Sequence, residues 1–169
     1  MHKCKVKLSY KRILALALAV CVSLLTSCRK REACAFSMMS EFAYEYGTDA
    51  VIYTLGAPEE KKGAFTPEMF FTMYSADTSC VSDFAVIMLS RSVSVGECAV
   101  FVCYTEYDAI TVTDLCRRRL SLFSAAEGVN VRAYTEDAFI IRRGRIVVMC
   151  ALSDNTAASR IWSGILDFY

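Results

Sequence analysis

DFAVIML at Asp83–Leu89 and CAVFVCY at Cys98–Tyr104 are the two stretches on which the fold turns. Each is a seven-residue apolar run rich in Val, Ile and Phe, too short for an isolated helix and of ordinary length for a strand. Ser90 to Glu97 joins them, with Gly96 at the corner, so the pair reads as a hairpin with a longish loop. The theme recurs downstream, where Ala138 to Ile141 and Arg145 to Leu152 flank Arg142-Arg143-Gly144 as a second hairpin. Between the hairpins, Thr111 with Asp114 three residues on has the form of a capping box, and Gly128 supplies a stop. Val112, Leu115, Cys116, Phe123 and Ala126 form the buried stripe of that helix. Asp154 caps a last helix over Asn155 to Phe168, with Ala158, Ile161, Trp162 and Ile165 facing inward. The order β-β-α-β-β-α predicts an α+β fold: a mostly antiparallel sheet of two hairpins with helices packed on one face.

The N-terminal third reads as helical. Met39, Phe42, Ala43 and Tyr46 recur at helical spacing within Phe36 to Tyr46, which ends at Gly47. Thr48 to Thr66 reads as an irregular surface excursion, with Gly56, Pro58 and Gly63 among its charges. Thr66 then caps a short helix that has Pro67 at its first position and an apolar side of Met69, Phe70 and Met73.

Ahead of all this, Lys3, Lys5, Lys7, Lys11 and Arg12 make a basic segment with no acidic residue. Ile13 to Leu25 follows, apolar except for Ser23. Thirteen residues of helix span about 20 Å, short of the ~30 Å bilayer core, so the segment reads as a secretory signal. Leu25-Thr26-Ser27-Cys28 resembles the lipobox of bacterial lipoprotein signal peptides. That resemblance implies cleavage before Cys28 and a diacylglycerol on its thiol; paired acyl chains hold a protein on a membrane where one does not. The alternatives are an uncleaved anchor helix or a plain signal peptide. The expected organisation is a lipoprotein signal peptide at 1–27, a tether at 28–35 and a single α+β domain at 36–169. The expected location is the extracytoplasmic face of the cell membrane.

The chain is 55% apolar and 22% charged, with 19 basic against 18 acidic residues, too apolar and too balanced for a disordered or nucleic-acid-wrapping protein. Loss of residues 1–27, with five basic residues, leaves 14 basic against 18 acidic, and nucleic acid is not an expected partner. His2, the one histidine, leaves with the signal. Serine-protease triads, Cys-His pairs and His-rich zinc sites then lack their central residue. Cys34, Cys80, Cys98, Cys103, Cys116 and Cys150 remain besides Cys28, and an even count on an exported chain suggests disulfides. Their positions argue otherwise, since Cys98, Cys103 and Cys150 lie in strand-like runs and Cys116 on a helix face, as small buried hydrophobes do. There is no C-x-x-C pair, and no cofactor or metal is expected.

From about Ala35 to Leu166 the chain resembles a family of small uncharacterised lipoproteins of clostridial-type Gram-positive bacteria, known as a domain of unknown function. The resemblance rests on Tyr46-Gly47, on Gly96-Glu97-Cys98-Ala99-Val100-Phe101, on the helix arginines near Arg118 and Arg119, on Gly144-Arg145-Ile146-Val147-Val148 and on Ser153-Asp154. It departs from the family pattern after the long helix, between Glu127 and Glu136, where an aromatic and proline segment is shortened. The resemblance implies no activity.

It singles out Glu97 with the cluster Arg117-Arg118-Arg119. A glutamate at a strand start and an arginine in a helix suit a partly buried pair fixing helix to sheet; the functional reading is an anion or carbohydrate contact. Arg142, Arg143 and Arg145 crowd one hairpin tip and, with Arg132 nearby in sequence, read either as a basic patch for an anionic envelope polymer, lipid or a partner protein, or as charges that keep a sheet edge soluble. Glu59-Glu60, Glu106 with Asp108 and Glu136-Asp137 are the available carboxylate pairs, better read as solvated turns than as a glycosidase pair. Tyr44, Tyr46, Tyr53 and Tyr74 would suit a glycan surface, but tyrosines at these spacings more often half-bury on helices. The expectation is a membrane-tethered, non-enzymatic binding module. Its alternatives are a small envelope hydrolase using Glu97 or Glu106, and an accessory subunit whose N-terminal third folds only on a partner.

Overall fold

Glu97–Cys103 (β4) is buried at every position, which requires strands on both sides and helices on both faces. A computed structural model describes residues 31–57, 63–89, 96–125 and 131–169, and shows how that is met. The chain divides into Met1–Arg31 and Glu32–Tyr169, and the fold is that of the second unit. The expected signal peptide and Cys28 lie outside the described residues.

Six strands form one mixed sheet: Ile52–Leu55 (β1), Ala64–Phe65 (β2), Val81–Met88 (β3), β4, Phe139–Arg143 (β5) and Ile146–Ala151 (β6), in the order β2-β1-β3-β4-β6-β5. Both expected hairpins are present, with Phe84 opposite Phe101 in one and Ile141 opposite Val148 in the other. The hairpins join where β4 runs antiparallel to β6, and among the described residues only β1 and β2 pair in parallel. The α+β class therefore holds.

The helices do not sit on one face. Ala35–Tyr46 (α1) and Asn155–Leu166 (α5) bury Met38, Met39, Phe42, Ala158, Trp162 and Ile165 against Cys98, Val100 and Val148. Pro67–Tyr74 (α2) and Glu106–Ala125 (α3) bury Phe70, Tyr74, Val112, Cys116 and Phe123 against the opposite face, on Phe84, Ala99, Phe101 and Met149. The physical reason is that the central strands lack polar alternation, so neither face tolerates water.

The N-terminal third is not purely helical either, since β1 and β2 extend the sheet within the stretch expected to be irregular. Four and two residues are too few for a periodic signal, and their order comes from partners across the sheet. Gly63 permits the approach: it has φ +97°, and a Cβ there would lie 2.5 Å from the Ile52 carbonyl. A short helix, Val131–Thr135 (α4), interrupts the expected order between α3 and β5.

Capping was legible in two helices and misplaced in one. Thr66 accepts from the Met69 N–H at 3.2 Å and Asp154 from the Ala157 N–H at 2.8 Å. In α3 the box is Thr105 with Asp108, not Thr111 with Asp114. The Thr105 N–H donates to Asp108 Oδ2 at 3.0 Å and the Asp108 N–H to Thr105 Oγ1 at 3.1 Å, so the helix starts earlier than Thr111. In α2 it is Phe70 and Tyr74 that are buried, while Met69 is exposed.

All six described cysteines are free thiols, with Cys98, Cys103, Cys116 and Cys150 buried. Cys98 and Cys150 face each other across β4 and β6. Burial pushes the Cys150 and Cys116 thiols far up, and Cys103 to about 12 with Asp108 and Cys80 adding to the rise. A maleimide is therefore expected to label Cys34 and Cys80 in the folded domain and the other four only after unfolding, as read by peptide mass. Labelling of Cys98 as fast as Cys34 would contradict this packing.

Candidate functional site

Glu97 begins β4 and is only 2% exposed, an unusual place for a carboxylate. Three donors fill it. The Tyr74 hydroxyl, at the end of α2, donates to Oε1 at 2.5 Å. Arg119, in α3, donates to Oε2 through Nε at 3.1 Å and Nη2 at 2.9 Å. The Arg119 guanidinium also lies 4.6 Å from the centre of the Phe123 ring. Burial raises the Glu97 pKa against the opposing pull of Arg119 and Tyr74, and raises that of Tyr74 with the Glu97 charge adding to it.

Sequence reasoning thus placed Glu97 beside a helix arginine, and the structure makes it Arg119. Arg118 is exposed, and Arg117 pairs with Asp114 at 2.6 Å on the helix surface. Tyr74 was missed as the third member; a tyrosine at the inner end of an amphipathic helix was its only signal. Both Glu97 oxygens are occupied, and neither described cleft is lined by Glu97, so the cluster works as a joint among α2, α3 and β4.

The hairpin arginines do not share a face. Ile140 packs with the α2 and α3 side, and Phe139 and Ile141 with the α1 and α5 side. Strand alternation then puts Arg142 on the first side and Arg143 on the second. Arg143 pairs with Asp167 beyond α5 at 2.7 Å, and Arg145 Nη1 donates to the Tyr104 carbonyl at 3.3 Å. The four tyrosines are divided too: Tyr74 lies in the α2 side of the core, while the Tyr46 hydroxyl accepts from the Asp154 N–H on the other.

Two clefts of about 400 Å³ are open to solvent. One, between Leu55 and Val81, has no ionisable side chain in its lining. The other, along α5, is lined by Asp137 and Arg160 with Thr156, Ser159 and Ser163. Neither brings two carboxylates together among the described residues. Asn155, beside the second cleft, is spent on structure: its Oδ1 accepts from the Leu152 N–H and its Nδ2 donates to the Tyr134 and Glu136 carbonyls. Glu59 and Glu60 lie outside the described residues. No described helix is long and apolar enough to cross a membrane. No family model matches the chain, and no curated protein or solved structure matches it either.

Proposed function

We propose that the chain is a lipoprotein of the small clostridial kind it resembles, held on the extracytoplasmic face of the cell membrane by a diacylglycerol on Cys28. Its folded domain is a non-enzymatic interaction module for an envelope protein or wall polymer. The observation that carries this reading is the succession of basic segment, thirteen-residue apolar segment and Leu25-Thr26-Ser27-Cys28. Two features of the domain support the non-enzymatic part: the one carboxylate deeply buried among the described residues is committed to Tyr74 and Arg119, and no described cleft gathers a carboxylate pair. Burial of Met38, Met39, Phe42, Phe65 and Phe70 in the chain's own core supports a domain that folds by itself over one that waits for a partner.

The test is uptake of labelled palmitate by cells expressing the full chain. Wild type is expected to carry the label and Cys28→Ala to carry none, while Cys34→Ala labels as wild type. Equal labelling of Cys28→Ala would sink the assignment.

A further inference from the structure

We propose that one end of the sheet is a membrane-docking surface, with Tyr104, Tyr107 and Phe36 seated at the headgroup level of the bilayer. The inference rests on the lipid anchor proposed at Cys28 and adds the orientation of the domain.

The end in question is defined by register. The start of β3, the end of β4 and the β5–β6 turn meet there, with Val81 opposite Cys103, Val102 opposite Ile146 and Arg143 opposite Ile146. The chain also enters the domain there, because the Ala35 N–H donates to Asp83 Oδ2 at 2.7 Å, and Ala33 already packs on the core. From Cys28 to Ala33 there are five residue steps, which reach at most ~18 Å even when fully extended. The Glu97–Arg119 contact lies at the opposite end, ~20 Å further along α3 from its start at Glu106. A lipid on Cys28 therefore keeps the chain's entry point, at this end of the sheet, within ~18 Å of the bilayer.

The side chains at that end suit such a neighbour. Tyr104 closes β4 at 58% exposed, Tyr107 stands in the first turn of α3 at 78%, and Phe36 in the first turn of α1 at 53%. Rings with an apolar body, above all those with a polar tip, concentrate at the interface between lipid and water. Arg142, Arg143 and Arg145 share the end, and an arginine fork binds phosphate well. Glu106, Asp108 and Asp167 are also there, so the surface is mixed in charge and the contact leans on the rings.

The test uses the full lipidated chain in phosphatidylcholine vesicles with brominated acyl chains, which quench indole emission on contact. Tyr107→Trp reports the docking end, and Tyr44→Trp reports the last turn of α1 at the far end; both residues are exposed, and Trp162 is a common background. Quenching severalfold stronger at position 107 than at 44 is expected. Equal or absent quenching, in a chain whose palmitate label proves the anchor, overturns the docking surface and leaves the anchor standing. A Trp at 107 that is shielded from aqueous acrylamide but untouched by the bromines puts a second copy or another protein there, and also overturns it. A chain without the label overturns the anchor and this inference together.

Discussion

Replacement of Glu97 by alanine is expected to destabilise the Glu32–Tyr169 domain by about 3–5 kcal/mol, the cost of leaving a buried ionic partner uncompensated. The carboxylate accepts from Tyr74 on one oxygen and twice from Arg119 on the other. With it gone, the Tyr74 hydroxyl is stranded in the aromatic cluster, and a guanidinium whose side chain is 19% exposed loses its counter-charge. Since a domain is stable by only ~5–15 kcal/mol in total, such a loss is a large fraction of the whole. Glu97→Gln keeps an acceptor for either donor and is expected to lose less. The pH response carries a sign. Because burial raises the Glu97 pKa above the usual 4.5 of a glutamate, the folded domain holds this proton to higher pH than the unfolded chain does. Holding this proton therefore adds stability that is fully present below 4.5 and is lost as pH rises through the raised value, while the hydrogen bonds to Tyr74 and Arg119 remain on the ionised side. Urea unfolding of wild type and Glu97→Gln across that window measures both effects, and the variant is expected to lack this downward slope. Wild-type stability that falls on acidification through the same window, and does so only while Glu97 is present, would contradict the assignment.

Trp162→Ala is expected to cost a similar ~3–5 kcal/mol by truncating a fully buried indole. Trp162 stacks on Phe42 with ring centres 4.9 Å apart and planes 13° from parallel, and its Nε1–H donates to Cys98 Sγ at 3.2 Å. One side chain thus holds α5 against both α1 and the central strand. Trp162→Phe retains the stack and is expected to lose clearly less than alanine. Thermal unfolding of the two variants decides the matter. Equal losses would contradict this packing, because a phenyl ring fills far more of the site than a methyl group and keeps the stack on Phe42.

The strands were legible where local chemistry alone sets them. Val, Ile and Phe in seven-residue runs left no other reading of β3 and β4, and the caps at Thr66 and Asp154 involve only neighbours in sequence. What the chain concealed depends on distant partners. β1 owes its place to β3, more than thirty residues on, and its own four residues carry no pattern that distinguishes a strand from a loop. The two-sided covering was concealed because a continuous apolar run records burial without recording how many faces are buried. Thr111 with Asp114 mimicked a cap inside a helix: Thr105 with Asp108 has the same Thr-x-x-Asp spacing, and spacing alone does not say which of the two opens the helix. In the candidate site, Glu97 and Arg119 were within reach of sequence reasoning, yet the choice among Arg117, Arg118 and Arg119 needed the rotation of α3 about its axis. Arg142, Arg143 and Arg145 looked like one patch because three charges lie within four residues. Strand alternation separates Arg142 from Arg143, and Asp167 claims Arg143.

The most direct test of the proposed lipoprotein is the intact mass of the chain's N-terminal peptide, purified from membranes of cells that express the full sequence. The expected peptide begins at Cys28 and carries the added mass of a diacylglyceryl group on its thiol. A peptide that begins at Cys28 or elsewhere with an unmodified thiol, or one that still carries residues 1–27 without lipid, would contradict the account.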